Sequence, residues 1–118
     1  MEEFDLSIVK GASFSKTFQY ATKVEGIVTP IDLSNYSVGM QIRHTPANPT
    51  VLFDAVASNC VFISEPSQGK VRLDIPSELT EQMNFKKGVY DIVLISPEGD
   101  KSILAKGDVF VSYLVSRG

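Results

Sequence analysis

The stretch Tyr36-Ser-Val-Gly-Met-Gln-Ile-Arg43 decides the fold class. Tyr36, Val38, Met40 and Ile42 alternate with Ser37, Gly39, Gln41 and Arg43. A helix would spread these side chains around its circumference, whereas a strand sends residues i, i+2 and i+4 to one face. The stretch therefore predicts a half-buried strand. The same period recurs on either side of it. Upstream, Phe4, Leu6 and Ile8 alternate with Asp5, Ser7 and Val9, and Phe14, Lys16, Phe18 and Tyr20 alternate with Ser15, Thr17 and Gln19. Downstream, Val71, Leu73 and Ile75 alternate with Arg72 and Asp74. Val51 to Val56 is β-rich but less regular, with Asp54 expected to face outward. In Tyr90 to Ile95 both faces are mostly apolar, which predicts a central strand covered on both sides.

Turn signals separate these runs at short, regular spacing. They include Glu25-Gly26, the loop His44-Thr-Pro-Ala-Asn-Pro49, Glu65-Pro-Ser-Gln-Gly69 and the hairpin Ser96-Pro-Glu-Gly-Asp100. Gly107 interrupts the last apolar run, and a β-bulge or a strand changing sheets is expected there. Pro76-Ser-Glu-Leu-Thr-Glu-Gln-Met83 alone reads as helix, one or two turns with Leu79 and Met83 on one side. About seven or eight short strands, each with one apolar face, must bury those faces together. The expected fold is all-β: a two-sheet antiparallel β-sandwich with one short helix near residues 76–83, forming a single domain over residues 1–118. Tyr90, two residues before Ile92 and just after the turn at Lys87-Gly88, resembles the tyrosine of immunoglobulin-like Greek-key sandwiches. In those folds its hydroxyl bonds back to backbone a few residues upstream. Ile92 stands where an antibody domain has cysteine, and tryptophan is absent, so the likeness is to the sandwich and not to antibodies.

Composition excludes several functions. Eleven basic and fourteen acidic residues give a net charge of −3, and no basic cluster exceeds Lys86-Lys87. Nucleic-acid binding needs a clustered basic surface, so none is expected. No apolar run reaches the length of a membrane span, and Met1-Glu-Glu-Phe-Asp is acidic where a secretory leader is basic. The expectation is a protein made in the cytoplasm, without membrane attachment. Cys60 is the only cysteine, so no internal disulfide forms; within Cys60-Val-Phe-Ile63 it reads as a small buried hydrophobe.

Catalytic chemistry finds no support. His44 is the only histidine, which rules out a multi-histidine metal site and leaves any Ser-His-Asp triad dependent on it. Gly11-Ala-Ser-Phe-Ser15 lacks the second glycine of a nucleophile elbow, and a strand follows it instead of a helix. Asp5, Asp54, Asp74 and Asp91 fall at water-facing strand positions, where acids keep sheets soluble. Asn84, Glu98, Asp100 and Asp108 are oxygens suited to calcium but lack a ligand ladder. We expect no enzyme, no cofactor and no metal. Tyr20, Tyr36, Tyr90 and Tyr113 suggest a sugar-stacking face as the alternative, although three of them belong to alternating core sets.

With these residues set out, the chain resembles a family of small β-sandwich domains encoded by tailed bacteriophages. Such domains occur alone as short virion or tail proteins and at the amino terminus of upper baseplate and tail-fibre proteins. The likeness is carried in order by Gly11-Ala-Ser-Phe14, Pro30-Ile-Asp-Leu-Ser-Asn-Tyr36, Met40-Gln-Ile-Arg43, Gly88-Val-Tyr-Asp-Ile92, Ser96-Pro-Glu-Gly99 and Gly107-Asp-Val-Phe-Val111. The resemblance implies a non-enzymatic structural protein of the virion, tail or baseplate, contacting other virion proteins and forming homo-oligomers. The end at Arg117-Gly118, just after the last strand, leads us to expect no fibre or receptor-binding module. Edge strands and flat faces are the surfaces a sandwich offers to partners. Val9, Phe110 and Leu114 fall off the inward sets of their strands and are the candidate docking surface. The alternative function is a module that binds a host-surface carbohydrate.

Overall fold

The computed structural model describes residues 2–113, so Leu114 of the candidate surface lies outside the described residues. The strands are β1 (Glu2–Glu3), β2 (Leu6–Lys10), β3 (Phe14–Gln19), β4 (Ala21–Val24), β5 (Ile27–Pro30) and β6 (Ser37–Arg43). They continue with β7 (Phe53–Asp54), β8 (Val61–Glu65), β9 (Lys70–Ile75), β10 (Lys87–Ile95) and β11 (Lys101–Tyr113). A single helical turn, α1 (Ser77–Thr80), joins β9 to β10.

Two sheets enclose one core. The larger runs β1-β11-β10-β6-β7, with β2 also on β11; the smaller runs β3-β9-β8. The order β11-β10-β6 against β3-β9-β8 is the G-F-C against B-E-D arrangement of immunoglobulin-like Greek keys, and β10 is central as its sequence requires. Strand alternation fills the space between. Leu6 and Ile8 of β2, Met40 and Ile42 of β6, and Tyr90, Ile92 and Leu94 of β10 face Phe18, Val71, Leu73 and Ile75, all nearly or fully buried. Each such aliphatic side chain stabilises by about 1.5–3 kcal/mol relative to exposure. Cys60 is buried among them, as read from sequence, and desolvation, then the charge of Asp74, pushes its thiol pKa up.

The helix is shorter than its sequence segment, because Thr80 ends it by turning inward. The Thr80 hydroxyl accepts from Gly11 N–H at 3.1 Å and donates to the Ala12 carbonyl at 2.9 Å. These bonds lock the β9–β10 connection onto the β2–β3 turn, while Met83 buries itself beyond the helix. Val51–Val56 forms only the two-residue β7. Asp54 Oδ1 accepts from the N–H groups of Val56 and Ala57 at 3.0 and 3.1 Å, so the carboxylate ends the strand in a turn.

The irregularity expected at Gly107 sits elsewhere. β11 is continuous for 13 residues, and its bulge is Leu104, where the register against Ile92 and Val93 shifts. Leu104 and Ala105 are both buried there, which is what the extra residue achieves. Gly107 serves a close approach: a Cβ there would lie 2.0 Å from the Phe4 carbonyl oxygen. Tyr90 also departs from expectation. Its hydroxyl donates to that same Phe4 carbonyl at 2.7 Å, 86 positions away in sequence and not a few residues upstream. The amino-terminal strand is thus broken into β1 and β2 at Phe4–Asp5 and fastened at the break. Phe4 N–H donates to the Lys106 carbonyl at 2.9 Å, and Asp108 N–H donates to Asp5 Oδ1 at 3.0 Å.

Candidate functional site

With the inner faces spent on the core, function falls to the two outer faces and to whatever projects from them. Strand pairing fixes who stands beside whom on the larger sheet. Across β6, β10 and β11, Gly39 is in line with Val93 and Ile103, and Ser37 with Ile95 and Lys101. Next come Gln41, Asp91 and Lys106, then Arg43, Val89 and Asp108. At the far end Lys87, Phe110 and Ser7 are in line, followed by Ser112 and Val9. The face is therefore banded: apolar at one end, charged in the middle, partly apolar again at the other.

Both described members of the candidate docking surface belong to this last band. Phe110 is 41% exposed with the Lys87 ammonium 5.7 Å from its ring centre, and Val9 is half-buried one diagonal away. The outer side of β10 is not covered by a further layer; Val89, Val93 and Ile95 are half-buried by their neighbours. The charged band is dished into a trough of about 620 Å³, lined by Arg43, Pro46, Val89, Asp91, Ile103 and Lys106 among others. Arg43 donates to the Asn48 carbonyl at 2.6 Å and to Gln41 Oε1 at 2.8 Å, both neutral acceptors. Beneath the trough, burial and then the nearby Asp5 charge push the Tyr90 hydroxyl up to about 12, so it is a neutral donor at any physiological pH.

The smaller sheet's outer face differs in kind. Arg72 Nε donates to Asp74 at 2.6 Å and its Nη2 to Ser15 Oγ at 2.9 Å, while Ser15 also bonds Asp74. The hydrogen bond from Arg72, then that from Ser15, holds the Asp74 carboxyl below its ordinary pKa. Thr17 and Gln19 complete a polar row, and Phe62 is the one large apolar residue on the sheet's outer side.

One element was not legible in the sequence. β4 and β5 pair only with each other and form a hairpin arm. Its base is stapled where Tyr20 N–H donates to the Gly69 carbonyl at 2.7 Å and Ile31 N–H to the Tyr20 carbonyl at 2.9 Å. Gly69 (φ +65°) leaves room for this, since a Cβ would lie 2.3 Å from the Tyr20 carbonyl oxygen. Glu25 and Gly26 both take positive φ, the tight hairpin turn that matches strand twist. Beyond the base the arm is exposed, with Ile27 at 69% and Val24 at 67%. The signal available was Lys23-Val-Glu-Gly-Ile-Val28: a turn between two runs too short to cross the sandwich.

The residues weighed for chemistry are apart. His44 is exposed and edge-on to Phe85 at 6.5 Å, while Ser13, the serine at the elbow's nucleophile position, is exposed between β2 and β3. Asn84 Oδ1 accepts from Lys10, Asp108 pairs with Lys87 at 3.9 Å, and Glu98 and Asp100 lie in the turn at the opposite end of β11. Among the described residues no three His, Cys, Asp or Glu side chains are placed to hold a metal ion. None of the described helices is long and apolar enough to cross a membrane. Exposed aromatic rings are spread over the molecule. Phe62 is on the smaller sheet, and Phe4 is at the amino-terminal edge against Phe18. Phe110 and Tyr113 are on β11 of the larger sheet, Tyr113 with the Lys10 ammonium 5.3 Å from its ring centre.

No family model matches the chain, and no curated protein matches it. Among solved structures, a crystal structure of a chicken TCR is similar with a TM-score of 0.56 at 12% identity. The match covers 99% of this chain and spans 57% of that one. At that identity the likeness shows the immunoglobulin-like β-sandwich fold alone.

Proposed function

We propose that the chain is a non-enzymatic assembly module of a tailed-bacteriophage particle, part of its tail or baseplate, acting through protein–protein contacts with other virion proteins and copies of itself. The motifs from Gly11-Ala-Ser-Phe14 to Gly107-Asp-Val-Phe-Val111 supply the phage setting. One observation carries the mode of action: exposed apolar side chains gather on the larger sheet's outer face and the hairpin arm, while the smaller sheet's polar groups satisfy one another. On the arm Val24 and Ile27 adjoin across the ribbon, and an exposed apolar cluster of this kind is a usual mark of a protein contact.

The test is mass spectrometry and antibody labelling of particles purified from the phage that encodes the chain. The expected result is a fixed copy number per particle, reduced in the double variant Val9→Ser, Phe110→Ser. Absence from purified particles, with a monomer that binds glycans in calorimetry, would replace this reading with the carbohydrate-binding one.

A further inference from the structure

A concave recess and a convex arm on one small domain raise the question of whether they fit each other. The arm's two most exposed apolar side chains, Ile27 and Val24, pair with each other on one side of the ribbon; Val28, 54% exposed, is beside Lys23 on the other. A two-stranded ribbon is marginal in water by itself, and this one is held to its own domain by the staple at Gly69. An open recess lies between the side carrying Lys23 and Val28 and the residues Phe4, Lys16 and Phe18. The trough, at about 620 Å³, falls within the roughly 300–1,000 Å³ of clefts that hold a small molecule, which is room for a few side chains of a protruding tip. A second copy's flat outer face would bridge the trough and leave it unfilled, whereas a hairpin tip enters it.

We propose that the β4–β5 arm of one copy docks in the trough on the larger sheet of a second copy, so that assembly runs head to tail. The inference rests on the reading of the chain as an assembly module and names its first partner. Apolar parts match: Val24 and Ile27 meet Val89, Ile103 and Pro46. Charges match as well. Of the trough's four carboxylates (Glu3, Asp5, Asp91 and Asp108), Asp108 pairs with Lys87 and Glu3 with Lys106, both at 3.9 Å, which leaves Asp91 and Asp5 to draw in Lys23. Glu25, at the tip, finds the Arg43 guanidinium, whose present partners are neutral. No arm residue lines the trough of its own copy, so an arm seated there would come from another. In the head-to-tail arrangement proposed, each copy is filled by one neighbour and fills another, which closes as a ring or continues as a filament, whereas reciprocal exchange between two copies would stop at a dimer.

Two variants and their mixture test this. One loses the arm's apolar tip (Val24→Ser, Ile27→Ser); the other alters the trough with Asp91→Lys and Ile103→Lys, both exposed positions. Sedimentation velocity should show concentration-dependent oligomers for the unaltered chain. Each variant alone should be monomeric, its self-association weakened about tenfold or more, with an unchanged thermal midpoint. Mixed, the intact arm of one meets the intact trough of the other, and a 1:1 pair should form without growing further. A chain that stays monomeric up to about 1 mM, variants that assemble as the parent does, or a mixture that yields no pair would each overturn head-to-tail docking. Particles that still contain the chain after any of those results leave the assembly reading standing; particles without it remove that reading instead.

Discussion

The two outer faces of this sandwich are built from the same alternation, yet they end in opposite states. On the smaller sheet, Ser15, Arg72 and Asp74 bind one another, and the face is complete without a partner. On the larger sheet, Gly39, Val93 and Ile103 form an apolar row, Arg43 has only neutral acceptors, and the band between Ile103 and Phe110 is hollowed. Polar residues on a strand are therefore not equivalent: those that satisfy each other close a surface, and those that do not leave it open to others.

The larger face depends on the amino-terminal strand, so the largest expected effect comes from prising that strand off. Gly107→Val places a Cβ on the Phe4 carbonyl and should uncover Leu6 and Ile8; we expect a loss of about 3 kcal/mol or more in urea unfolding. On the open side of the same sheet, Gly39→Val meets nothing within 4 Å and should leave the urea midpoint unchanged or slightly raised.

Tyr90→Phe should cost about 1–2 kcal/mol, because it leaves the Phe4 carbonyl without its buried donor. The same bond gives a pH dependence of definite sign. The folded hydroxyl's pKa is raised to about 12, above its ordinary value near 10, so the unfolded chain loses this proton first. The stabilisation is complete below about pH 10 and is lost as pH rises through about 12; Tyr90→Phe should flatten that fall in thermal midpoint.

Smaller effects sharpen the contrast between the faces directly. Phe110→Ser should lower the copy number in purified particles while leaving the thermal midpoint nearly unchanged, and Arg72→Ala should leave the copy number as it is. The Asp74 pKa is lowered in the fold, so its contribution is present above the unfolded value near 4 and lost as pH falls through the folded one. Since these groups are exposed, we expect the smallest response here, a shallow acid-side slope in thermal midpoint that Arg72→Ala reduces and the Ser15 hydrogen bond partly keeps.

Much of the fold was readable because period-two alternation over Tyr36–Arg43, Val71–Ile75 and Tyr90–Ile95 has only one low-energy reading. The misreadings share a cause. Val51–Val56 has strand-forming residues, but Asp54 captures two backbone N–H groups and turns the chain. Gly107 is a glycine because of Phe4, which arrives from the other end of the chain. Val9 and Phe110 fall off the inward sets in sequence, and pairing across β2 and β11 sets them on one face. The arm escaped because its residues look like any short strand pair, and only the absence of a third strand makes them project.

Sequence alone determined the all-β class, the inward-facing side chains and the turns between strands, since each depends on residues within a few positions of one another. Tertiary structure decided which outer face stays open, where the amino-terminal strand breaks and fastens, and that residues 21–30 leave the sandwich. Those outcomes depend on groups brought together from distant parts of the chain, as Tyr90 and Phe4 are, and no local pattern encodes such a meeting.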